Sequence, residues 1–546
     1  MPLRFGLAQI NATVGDMHGN TTLMSHLIDS AKKKGLDVVV FPELCVCGYP
    51  PEDLLHKPKF LHDNDSALKE LSCYTSSITV VAGFALEDSD QCFNAAAVIE
   101  NGNIQSIYKK GLLPNYSVFD EKRYFTPGQN PVIFQQKGLT IAVTICEDIW
   151  DLDWLDQFLD GEKHRLDLII NLSASPFNSG KIQERQTILA RCAGHFNCAV
   201  AYCNLVGGQD ELVFDGRSMV VDSQGTVITQ AKEFEEDLCI VDLEKMPDGQ
   251  LKITPISPSY APSEPLDDVF EVHQALVKGT RDYIQKNGFS KVVIGLSGGI
   301  DSALVAAVAV EAIGNENVVG ISMPSRFNTH ATRSDAETLA ENLGIEFHTV
   351  PIADTMDAFS QALESVDGWD EMGLAYENLQ ARIRGTILMS YSNQFGWLVL
   401  TTGNKSETGV GYSTLYGDTA GGFAVIKDVP KTLVYELCRF VNKEREIIPD
   451  SIISRPPSAE LRPDQKDSDS LPDYDLLDAI LKNYVELDHS TEELIGAGFD
   501  AEQVRHIIRL VDRNEYKRRQ SPPGIKITPR AFGKDRRMPI TNRYNS

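Results

Sequence analysis

Short apolar runs alternate with longer amphipathic segments along most of the chain. Before residue 246 the runs occupy residues 5–10, 37–41, 78–82, 141–145, 166–171 and 199–203. After residue 268 they occupy residues 292–296, 318–322, 347–350 and 398–401. Short apolar runs predict buried strands, and the helical segments between them predict parallel sheets with helices on their faces. The pattern therefore predicts an α/β protein, and the second half is typical of a Rossmann-like, doubly wound parallel sheet.

A proline-rich segment separates the two groups of runs. The sequence Met246-Pro-Asp-Gly is followed by prolines at positions 255, 258, 262 and 265. Proline removes a backbone donor and interrupts regular structure. We therefore predict a domain at residues 1–245, a linker at 246–268 and a second domain at 269–546. Residues 454–475 are polar, acidic and proline-containing, which predicts a long mobile loop or lid rather than a packed element.

Charge and composition exclude several classes of protein. The chain has 546 residues, of which 42% are hydrophobic, and a formal net charge of −26. It is long enough for two or three domains with complete cores, and its charge argues against a nucleic-acid or membrane-surface role because it repels polyanions. No apolar run is long enough to span a membrane. Residues 513–543 are an exception to this acidic character, because they contain ten Lys or Arg residues and only two acidic residues, Glu515 and Asp535.

The cysteines indicate a reducing environment. Nine of the ten precede residue 240, and they form neither C-x-x-C pairs nor metal-type spacings with histidine. Most are therefore expected to be reduced, buried side chains. The N-terminal residues are typical of a strand rather than a signal peptide, so we expect a cytoplasmic protein.

Residues 291–302, Lys-Val-Val-Ile-Gly-Leu-Ser-Gly-Gly-Ile-Asp-Ser, predict a phosphate site. An apolar strand runs into two adjacent glycines, which let the backbone aim its N–H groups at an anion beside the next helix. Ser297 and Ser302 add hydroxyl donors, and Asp301 offers a carboxylate suited to Mg²⁺. No lysine follows the glycines as in the Walker motif, which disfavours a kinase or GTPase.

This Ser-Gly-Gly-x-Asp-Ser motif resembles the pyrophosphate loop of the ATP pyrophosphatases, which split ATP between its α and β phosphates to adenylate a substrate. An ordinary glycine-rich turn before a helix is the alternative. The resemblance implies ATP contacts by Gly295, Leu296, Ser297, Gly298, Gly299, Ile300, Asp301 and Ser302.

The first half carries chemistry of its own at three strand ends. Glu43 follows one apolar run, Lys110 follows a second, and Cys146 ends a third. A thiolate that attacks a carbonyl, a carboxylate that accepts and returns a proton, and an ammonium that stabilises the oxyanion would suffice for amide cleavage. Taken alone, however, a cysteine at a strand end is more often structural.

Four motifs in order resemble the nitrilase and amidase superfamily. They are Phe-Pro-Glu at 41–43, Lys-x-x-Leu-Pro at 110–114, Phe-Asp-Glu-x-Arg-Tyr-Phe at 119–125 and Ile-Cys-Glu-Asp at 145–148. The resemblance implies an αββα sandwich with a catalytic base, an oxyanion stabiliser, a nucleophile and a supporting carboxylate. In that order these are Glu43, Lys110, Cys146 and Glu121. Lys109 is the rival of Lys110, but the spacing to Leu113 and Pro114 selects Lys110.

Two further stretches resemble the glutamine-binding version of this domain. They are residues 113–116 and residues 171–177, the latter followed by a lysine. The resemblance implies that Tyr116, Ser175 and Lys181 hold the amino-acid end of glutamine, where a lysine suits a carboxylate. The alternative is that these are ordinary residues of surface loops.

An amidase unit before an ATP pyrophosphatase unit resembles the family of glutamine-dependent NAD⁺ synthetases. The similarity extends over residues 323–325, 377–385, 401–407, 416–422, 427–431 and 457–465. It implies a ligase that releases ammonia from glutamine, adenylates deamido-NAD⁺ with ATP and amidates it to NAD⁺, releasing AMP and pyrophosphate. The expected partners are therefore small molecules, with Mg²⁺ as cofactor.

The same resemblance assigns residues in the second half. Thr402 is expected to contact ATP, and Asp301 and Glu407 are expected to bind Mg²⁺. Asn378, Glu407 and Lys517 are expected to contact deamido-NAD⁺, with Lys526 the equal rival of Lys517.

A mobile catalytic loop is implied for Asp418, in a glycine-rich segment, and for Lys431. An ammonia-using branch of the family carries a second Asp where this chain has Gly422, which leaves the role of Asp418 open. Glu407 is alternatively a solvated helix residue.

Two other functions remain open from sequence alone. An amidotransferase with the same parts could act on another carboxylate, and a binding protein could retain an inactive amidase scaffold. The presence of Glu43, Lys110, Glu121 and Cys146 disfavours the second. Because free ammonia is mostly protonated in neutral water, we expect a water-poor tunnel between the domains and a homo-oligomer, dimeric or larger.

Overall fold

The structure is a computed structural model that describes residues 2–159, 166–257, 268–370, 373–463, 465–469 and 471–544. The chain divides into two compact units, Met1–Leu266 and Asp267–Ser546. None of the helices in the described ranges combines the length and apolar character needed to cross a membrane.

The first unit is built from two sheets. Its elements are β1 (Leu3–Gln9), α1 (Met17–Lys33), β2 (Val38–Val40), α2 (Pro58–Ser72), β3 (Thr79–Asp88), β4 (Gln91–Glu100), β5 (Asn103–Lys109), β6 (Val132–Gln136), β7 (Leu139–Ile145), α3 (Leu152–Phe158), β8 (Leu168–Ser173), α4 (Lys181–Phe196), β9 (Ala199–Asn204), β10 (Val206–Gln209), β11 (Leu212–Asp215), β12 (Met219–Val221), β13 (Val227–Gln230), β14 (Asp237–Lys245) and β15 (Leu251–Pro255). One sheet has the order β15-β14-β1-β2-β3-β4-β5, and the other has the order β13-β12-β9-β8-β7-β6. Strands β10 and β11 form a separate hairpin.

Alternation of side chains along β2 shows how the sheets are stacked. Val38 and Val40 lie in the core between the two sheets, together with Val143 and Leu168 of the second sheet. Val39 points to the opposite face and packs in the core that includes residues of α1 and α2, as the period of two along a strand requires. Helices α3 and α4 cover the outer face of the second sheet. The predicted αββα sandwich is therefore confirmed.

Strand direction brings the ends of β2 and β5 to one edge. β2 pairs with β3 in parallel, whereas β3–β4 and β4–β5 are antiparallel, so β5 runs in the direction of β2. In the second sheet β7 and β8 are parallel neighbours. The residues that follow β2 and β5 therefore lie at the same end of the first sheet, and those that follow β7 and β8 lie at the same end of the second.

The segment assigned to the linker differs from expectation. Residues 251–255 form β15, which pairs antiparallel with β14 at the edge of the first sheet. Pro255 is tolerated there because it is the last residue of an edge strand. Residues 258–267 of the expected linker lie outside the described residues.

The second unit contains a five-stranded parallel sheet. Its elements are α5 (Asp268–Lys286), β16 (Val292–Gly295), α6 (Ile300–Ile313), β17 (Val318–Ser322), α7 (His330–Leu343), β18 (Glu346–Thr349), α8 (Ala353–Leu363), α9 (Leu374–Phe395), β19 (Leu398–Thr401), α10 (Lys405–Val410), β20 (Phe423–Ala424), α11 (Lys431–Val441), α12 (Asp450–Ser454), α13 (Tyr474–Leu481), α14 (Thr491–Gly496), α15 (Ala501–Arg513) and α16 (Glu515–Arg518). The strand order is β18-β17-β16-β19-β20, with every pair parallel. This confirms the doubly wound sheet. The order reverses at β16, so the carboxyl ends of β16 and β19 flank the crevice where such sheets bind ligands.

The segment expected to be a mobile lid is packed in part. Gln465, Asp467 and Leu471 are buried, and Leu471 belongs to an apolar cluster with Leu477 of α13. The carbonyl of Leu461 accepts a 2.8 Å hydrogen bond from the amide of Gln380 in α9. Polar side chains also join the segment to the fold, since Glu460 accepts a hydrogen bond from the hydroxyl of Thr332 at 3.0 Å.

Candidate functional site

A buried lysine joins two carboxylates at the edge of the first sheet. Lys110 follows β5, and its Nζ donates to Oε1 of Glu43 at 2.7 Å and to both oxygens of Glu121 at 2.9 Å. The Lys110 side chain is fully buried. Burial by itself lowers the lysine pKa, but Glu121 and Glu43 outweigh it and hold the pKa well above its ordinary value. Lys110 is therefore a fixed ammonium group.

Lys109, the rival from the sequence, lies elsewhere. Its Nζ pairs with Asp88 at 2.7 Å and lies 3.9 Å from the centre of the Phe93 ring. Successive residues of a strand point to opposite faces. Only Lys110 is thus brought to the two glutamates.

Cys146 stands directly after β7 with an unusual backbone conformation. Its φ is 44°, in the left-handed region, and its side chain is 5% exposed. Non-glycine residues adopt this conformation at a cost and are frequent at functional sites. Burial raises the pKa of its thiol well above the ordinary value, Glu43 raises it further, and Lys110 opposes both. The thiol is therefore neutral at rest and needs a nearby proton acceptor.

Glu43 and Glu121 differ in their surroundings. Glu43 accepts hydrogen bonds from the Asn94 side chain at 2.7 Å and from the backbone N–H of Ala174 at 2.9 Å. Glu121 accepts from the hydroxyl of Tyr49 at 3.0 Å. Burial raises the pKa of Glu121 to about 7, although Lys110 partly offsets this. Glu43 is thus oriented by several donors, whereas Glu121 titrates near neutrality.

Several side chains of this site were missed by sequence reasoning. Asn94 and Tyr49 hold the two glutamates, and Asn171 donates to the carbonyl of Cys146 at 3.3 Å. Asp148 accepts from the backbone N–H groups of Leu112 and Ile145, both at 2.8 Å. It therefore ties the segment after Lys110 to the strand before Cys146. Asp148 and Asn171 each lay within a motif quoted from the sequence, whereas no motif contained Asn94 or Tyr49.

The residues expected to bind the amino-acid end of glutamine lie on a rim near Cys146. The hydroxyl of Tyr116 donates to Glu147 at 3.1 Å. Lys181, the first residue of α4, pairs with Glu184 at 2.6 Å and lies 4.6 Å from the centre of the Trp150 ring. Tyr116 is half exposed. Glu147, which sequence reasoning did not single out, thus places a carboxylate on the same rim.

Ser175 is fixed just beyond β8. Its backbone N–H donates to Asn204 at 2.9 Å, and its hydroxyl accepts from Nε of Arg185 at 3.1 Å. The residue is 5% exposed. It is thus part of the buried wall rather than an ordinary surface-loop residue.

The second site begins at the end of β16. The hydroxyls of Ser297 and Ser302 lie 3.2 Å apart, and the N–H of Gly299 donates to Ser297 at 3.2 Å. Gly298 has a φ of 79°, and a Cβ there would lie 2.2 Å from the carbonyl oxygen of Thr332. The turn therefore needs glycine at 298. Ile300 is buried and begins α6, so the turn leads directly to a helix N-terminus.

A second buried lysine joins two carboxylates beside this turn. The Nζ of Lys431 contacts Asp301 and lies 3.2 Å from Oε1 of Glu407. Asn404 donates to the other oxygen of Asp301 at 2.9 Å. Burial raises the pKa of Glu407 to about 7, with Lys431 opposing. The two expected metal ligands are thus brought together around one cation.

Lys431 is not on the loop of Asp418. It is the first residue of α11 and 2% exposed, whereas Asp418 lies in the irregular segment before β20. The expectation of one mobile loop carrying both residues is wrong, because Lys431 is fixed by a helix and by Asp301.

A cavity of about 240 Å³ opens beside the turn. Its walls include Gly295, Leu296, Ser297, Thr402 and Asp418, all singled out by the sequence. Apolar side chains such as Met323 and Leu388 also line it. The cavity therefore lies at the reversal point between β16 and β19 and combines apolar walls with hydroxyl groups.

Three other expected residues converge on residues 411–418. Asn378 accepts from the hydroxyl of Thr414 at 2.7 Å, and Asp418 accepts from the N–H of the same threonine at 2.6 Å. Lys517 donates to the carbonyls of Gly411 and Ser413 at 2.8 and 3.0 Å.

Lys526 is placed differently from Lys517. It is 4% exposed, pairs with Asp535 at 2.6 Å and donates to the carbonyls of Thr528 and Pro529. Its charge is therefore already neutralised within the fold. The basic C-terminal stretch is thus partly structural.

Comparison with known proteins agrees with this pair of sites. Residues 4–246 match the carbon-nitrogen hydrolase family, and residues 272–521 match the NAD synthase family. The glutamine-dependent NAD⁺ synthetase of Thermotoga maritima is 48% identical over 99% of each chain. That of Aquifex aeolicus is 45% identical over 99% of this chain and all of the relative. The chain is a glutamine-dependent NAD⁺ synthetase by family.

Solved structures support the same assignment. The glutamine-dependent NAD⁺ synthetase of Acinetobacter baumannii, solved with adenosine diphosphate, shares 42% identity over 99% of each chain with a TM-score of 0.78. That of Cytophaga hutchinsonii, at 24% identity and a TM-score of 0.84, shares the fold.

The family fixes the activity of this synthetase. It is an ATP-dependent ligase in which a glutaminase domain supplies nitrogen to an NAD synthase domain, and the product is NAD⁺. The predicted function is confirmed, and the alternatives of another carboxylate substrate and of an inactive scaffold are set aside.

Proposed function

We propose that the first unit hydrolyses glutamine with Cys146 as nucleophile, Glu43 as general base and Lys110 as oxyanion stabiliser. The observation that carries this assignment is the buried contact of Lys110 with both Glu43 and Glu121 beside the Cys146 thiol. Glu121 holds Lys110 in place, so that its ammonium group faces the reacting carbonyl.

The proposed steps conserve atoms and charge. Sγ of Cys146 bonds to the amide carbon while its proton passes to Glu43, and the carbonyl oxygen becomes an oxyanion beside Lys110. Protonated Glu43 then gives its proton to the amide nitrogen, the carbon–nitrogen bond breaks, and ammonia leaves a thioester on Cys146. Glu43 next removes a proton from water, whose oxygen attacks the thioester carbon. The carbon–sulfur bond then breaks, Glu43 returns the proton to Sγ of Cys146, and the γ-carboxyl group of the product loses its remaining proton to solvent as glutamate leaves.

Charge on the rim suits the amino-acid end of glutamine. Lys181 supplies a cation for the α-carboxylate, and Glu147 an anion for the α-ammonium group. Tyr116, bonded to Glu147, and Ser175 complete the proposed pocket. This arrangement would favour an amide that carries both an α-carboxylate and an α-ammonium group over an uncharged amide.

The second unit is proposed to bind ATP in the cavity beside β16. The turn at residues 297–302 presents hydroxyl and backbone donors to the phosphates, and Thr402 lines the same cavity. Adenylation transfers AMP from ATP to the pyridine carboxylate of deamido-NAD⁺ and releases pyrophosphate. Ammonia then attacks the activated carbon, and AMP leaves.

The carboxylates of Asp301 and Glu407 fit a magnesium ion. Both contact one nitrogen, Nζ of Lys431, so their oxygens converge on a single point, as hard oxygen ligands for Mg²⁺ must. Within the described ranges no group of three His, Cys, Asp or Glu side chains forms a metal site, so phosphate oxygens would complete the ligand set. Bound there, Mg²⁺ would neutralise charge on the departing pyrophosphate.

Deamido-NAD⁺ is proposed to lie against residues 411–418. Asn378, Asp418 and Lys517 meet at this segment, and Glu407 lies on the adjacent α10. Lys517 is favoured over Lys526 because its partners are backbone carbonyls, whereas Lys526 is paired with Asp535.

Two properties of the whole chain are proposed as well. The ten cysteines are all free, which supports a cytoplasmic location. Exposed apolar side chains on α9, including Leu374 and Phe395, support a homo-oligomer. Light scattering coupled to size-exclusion chromatography would measure the molar mass and test the second property.

Trapping the thioester tests the glutaminase assignment. The enzyme would be mixed with glutamine, quenched in acid and digested, and the peptide containing Cys146 examined by mass spectrometry. We expect a γ-glutamyl adduct on that peptide and none in Cys146→Ala. An adduct on any other cysteine would contradict the assignment.

Product analysis tests the second site. We expect the enzyme to form AMP, pyrophosphate and NAD⁺ in equal amounts from ATP, glutamine and deamido-NAD⁺.

A further inference from the structure

Arg185 is a buried cation near the first site that no motif singled out. It lies on α4, close to the start of the helix, and is 2% exposed. Its Nη1 donates to both oxygens of Asp215, at the end of β11, at 2.6 and 2.8 Å.

The rest of the guanidinium group is directed at Ser175. Nε donates to the Ser175 hydroxyl at 3.1 Å, and Nη2 donates to the Ser175 carbonyl at 2.8 Å and to the Pro176 carbonyl at 3.1 Å. A hydroxyl that accepts a hydrogen bond keeps its own proton to donate. Arg185 therefore orients Ser175 as a donor.

The backbone of Ser175 does not depend on Arg185 alone. Its N–H donates to the side chain of Asn204 at 2.9 Å, and the N–H of Phe177 donates to the carbonyl of Val213 at 2.7 Å. Among these contacts, only that of Arg185 reaches the hydroxyl. A buried ion pair is also a poor source of stability, because desolvation offsets much of the attraction. A role in orientation explains the pair better than a role in stability.

We propose that Arg185 is a positioning residue that makes the first site selective for amides with an α-amino-acid end. Anchored by Asp215, it holds the Ser175 hydroxyl ready to donate to the substrate carboxylate. This inference rests on the proposed contact between Ser175 and glutamine. Simple amides, which lack the carboxylate, do not use this contact.

Arg185→Lys is the variant that tests the proposal. It keeps the positive charge beside Asp215 but loses the planar fork that reaches Asp215 and Ser175 together. Arg191→Lys, an exposed position on the same helix, is the matched control. Two reagents would alkylate Cys146: iodoacetamide, a small neutral amide, and a diazoketone analogue of glutamine that carries the amino-acid end. Mass spectrometry of the Cys146 peptide gives each rate.

Selective loss of recognition is expected in Arg185→Lys. Alkylation by the glutamine analogue should slow by about tenfold or more, while the iodoacetamide rate stays within about twofold, since thiol reactivity is unchanged. KM for glutamine should rise by about tenfold with kcat changed less than about threefold. Asp215→Asn weakens the contact that anchors Arg185. It should slow alkylation by the glutamine analogue and raise KM for glutamine, each by a smaller factor than Arg185→Lys. Arg191→Lys should match the wild type.

Three outcomes would overturn the proposal in distinguishable ways. A parallel fall of both alkylation rates in Arg185→Lys would show that Arg185 supports Cys146 itself. Ser175→Ala tests the contact between Ser175 and glutamine independently of the positioning role of Arg185. If Ser175→Ala leaves KM for glutamine unchanged, that contact is wrong. If Ser175→Ala raises KM and Arg185→Lys does not, the glutamine contact stands and the positioning role falls.

Discussion

Nζ of Lys110 lies 2.7 Å from Oε1 of Glu43, and both side chains are fully buried. The pair leaves the ammonium charged and the carboxylate hydrogen-bonded in a place that excludes water. Because the neighbouring thiol of Cys146 has a raised pKa, its proton must be removed as substrate is attacked rather than lost to solvent beforehand. The first site is therefore organised for transfer of a proton within the site.

Removal of the proposed nucleophile should separate the two halves of the reaction. Cys146→Ala is expected to abolish NAD⁺ synthesis from glutamine and preserve synthesis driven by high ammonium, because the adenylating site is untouched. Both activities are measured by NAD⁺ formation. Cys73→Ala, at an exposed cysteine, serves as the control. Equal loss of both activities in Cys146→Ala would refute the division of labour.

Glutamine hydrolysis should depend on the ionisation of Glu121. Its pKa of about 7 means that the carboxyl is ionised above that pH and protonated below it. Protonation removes a partner of Lys110, so glutamine hydrolysis should fall as the pH drops through about 7. Glu121→Gln should lack this titration and lose about 100-fold in kcat. The measurement is glutamate release against pH.

The surface variant Asp153→Asn is the matched comparison for Glu121→Gln, because its carboxylate is exposed on α3. It should retain the wild-type pH profile. An unchanged acid limb in Glu121→Gln would remove Glu121 as the titrating group.

Loss of either carboxylate at the second site should stop synthesis from both nitrogen sources. Asp301→Asn and Glu407→Gln weaken metal and phosphate neutralisation, so we expect NAD⁺ formation with glutamine or ammonium to fall by about 100-fold or more. Glu311→Gln, on the same helix as Asp301 and half exposed, is the control. Full ammonium-dependent activity in Asp301→Asn would defeat the assignment.

Removal of Lys405 should destabilise the second unit, because its buried partners would be left without a counter-charge. Its Nζ lies 2.7 Å from Glu486, 2.9 Å from Asp428 and 2.7 Å from the hydroxyl of Thr528, all buried. Lys405→Met leaves buried carboxylates unpaired, so the free energy of unfolding should fall by about 3–5 kcal/mol. Urea denaturation measures it. Lys59→Met, which removes an exposed pair with Asp63, should change it by less than about 1 kcal/mol.

Sequence reasoning located the residues that chain direction alone brings together. Glu43, Lys110 and Cys146 each follow an apolar strand, and parallel strand ends meet at a sheet edge. The turn at residues 297–302 was found for the same reason. Local order along the chain supplied these candidates because each residue is placed by the strand immediately before it, and the family motifs around them then selected them.

Contacts between distant segments were not accessible in the same way. Lys431 meets Asp301 across 130 positions of sequence, and Arg185 meets Asp215 across a helix and several strands. Such pairs depend on the packing of whole elements, which a local pattern does not encode. Polarity was also misleading at residues 454–475, where Asp467 is buried and accepts a hydrogen bond from the hydroxyl of Tyr474 at the start of α13.

The residues proposed for catalysis and those proposed for binding glutamine lie on different parts of the fold, which has a consequence for engineering. Glu43, Lys110 and Cys146 are held by the two sheets, whereas Tyr116 lies on a loop and Lys181 on a helix. Libraries that randomise only the rim should therefore yield catalysts for other amides without rebuilding the reaction centre. The two sheets would then serve as a constant scaffold, while the rim residues would determine which amide is hydrolysed.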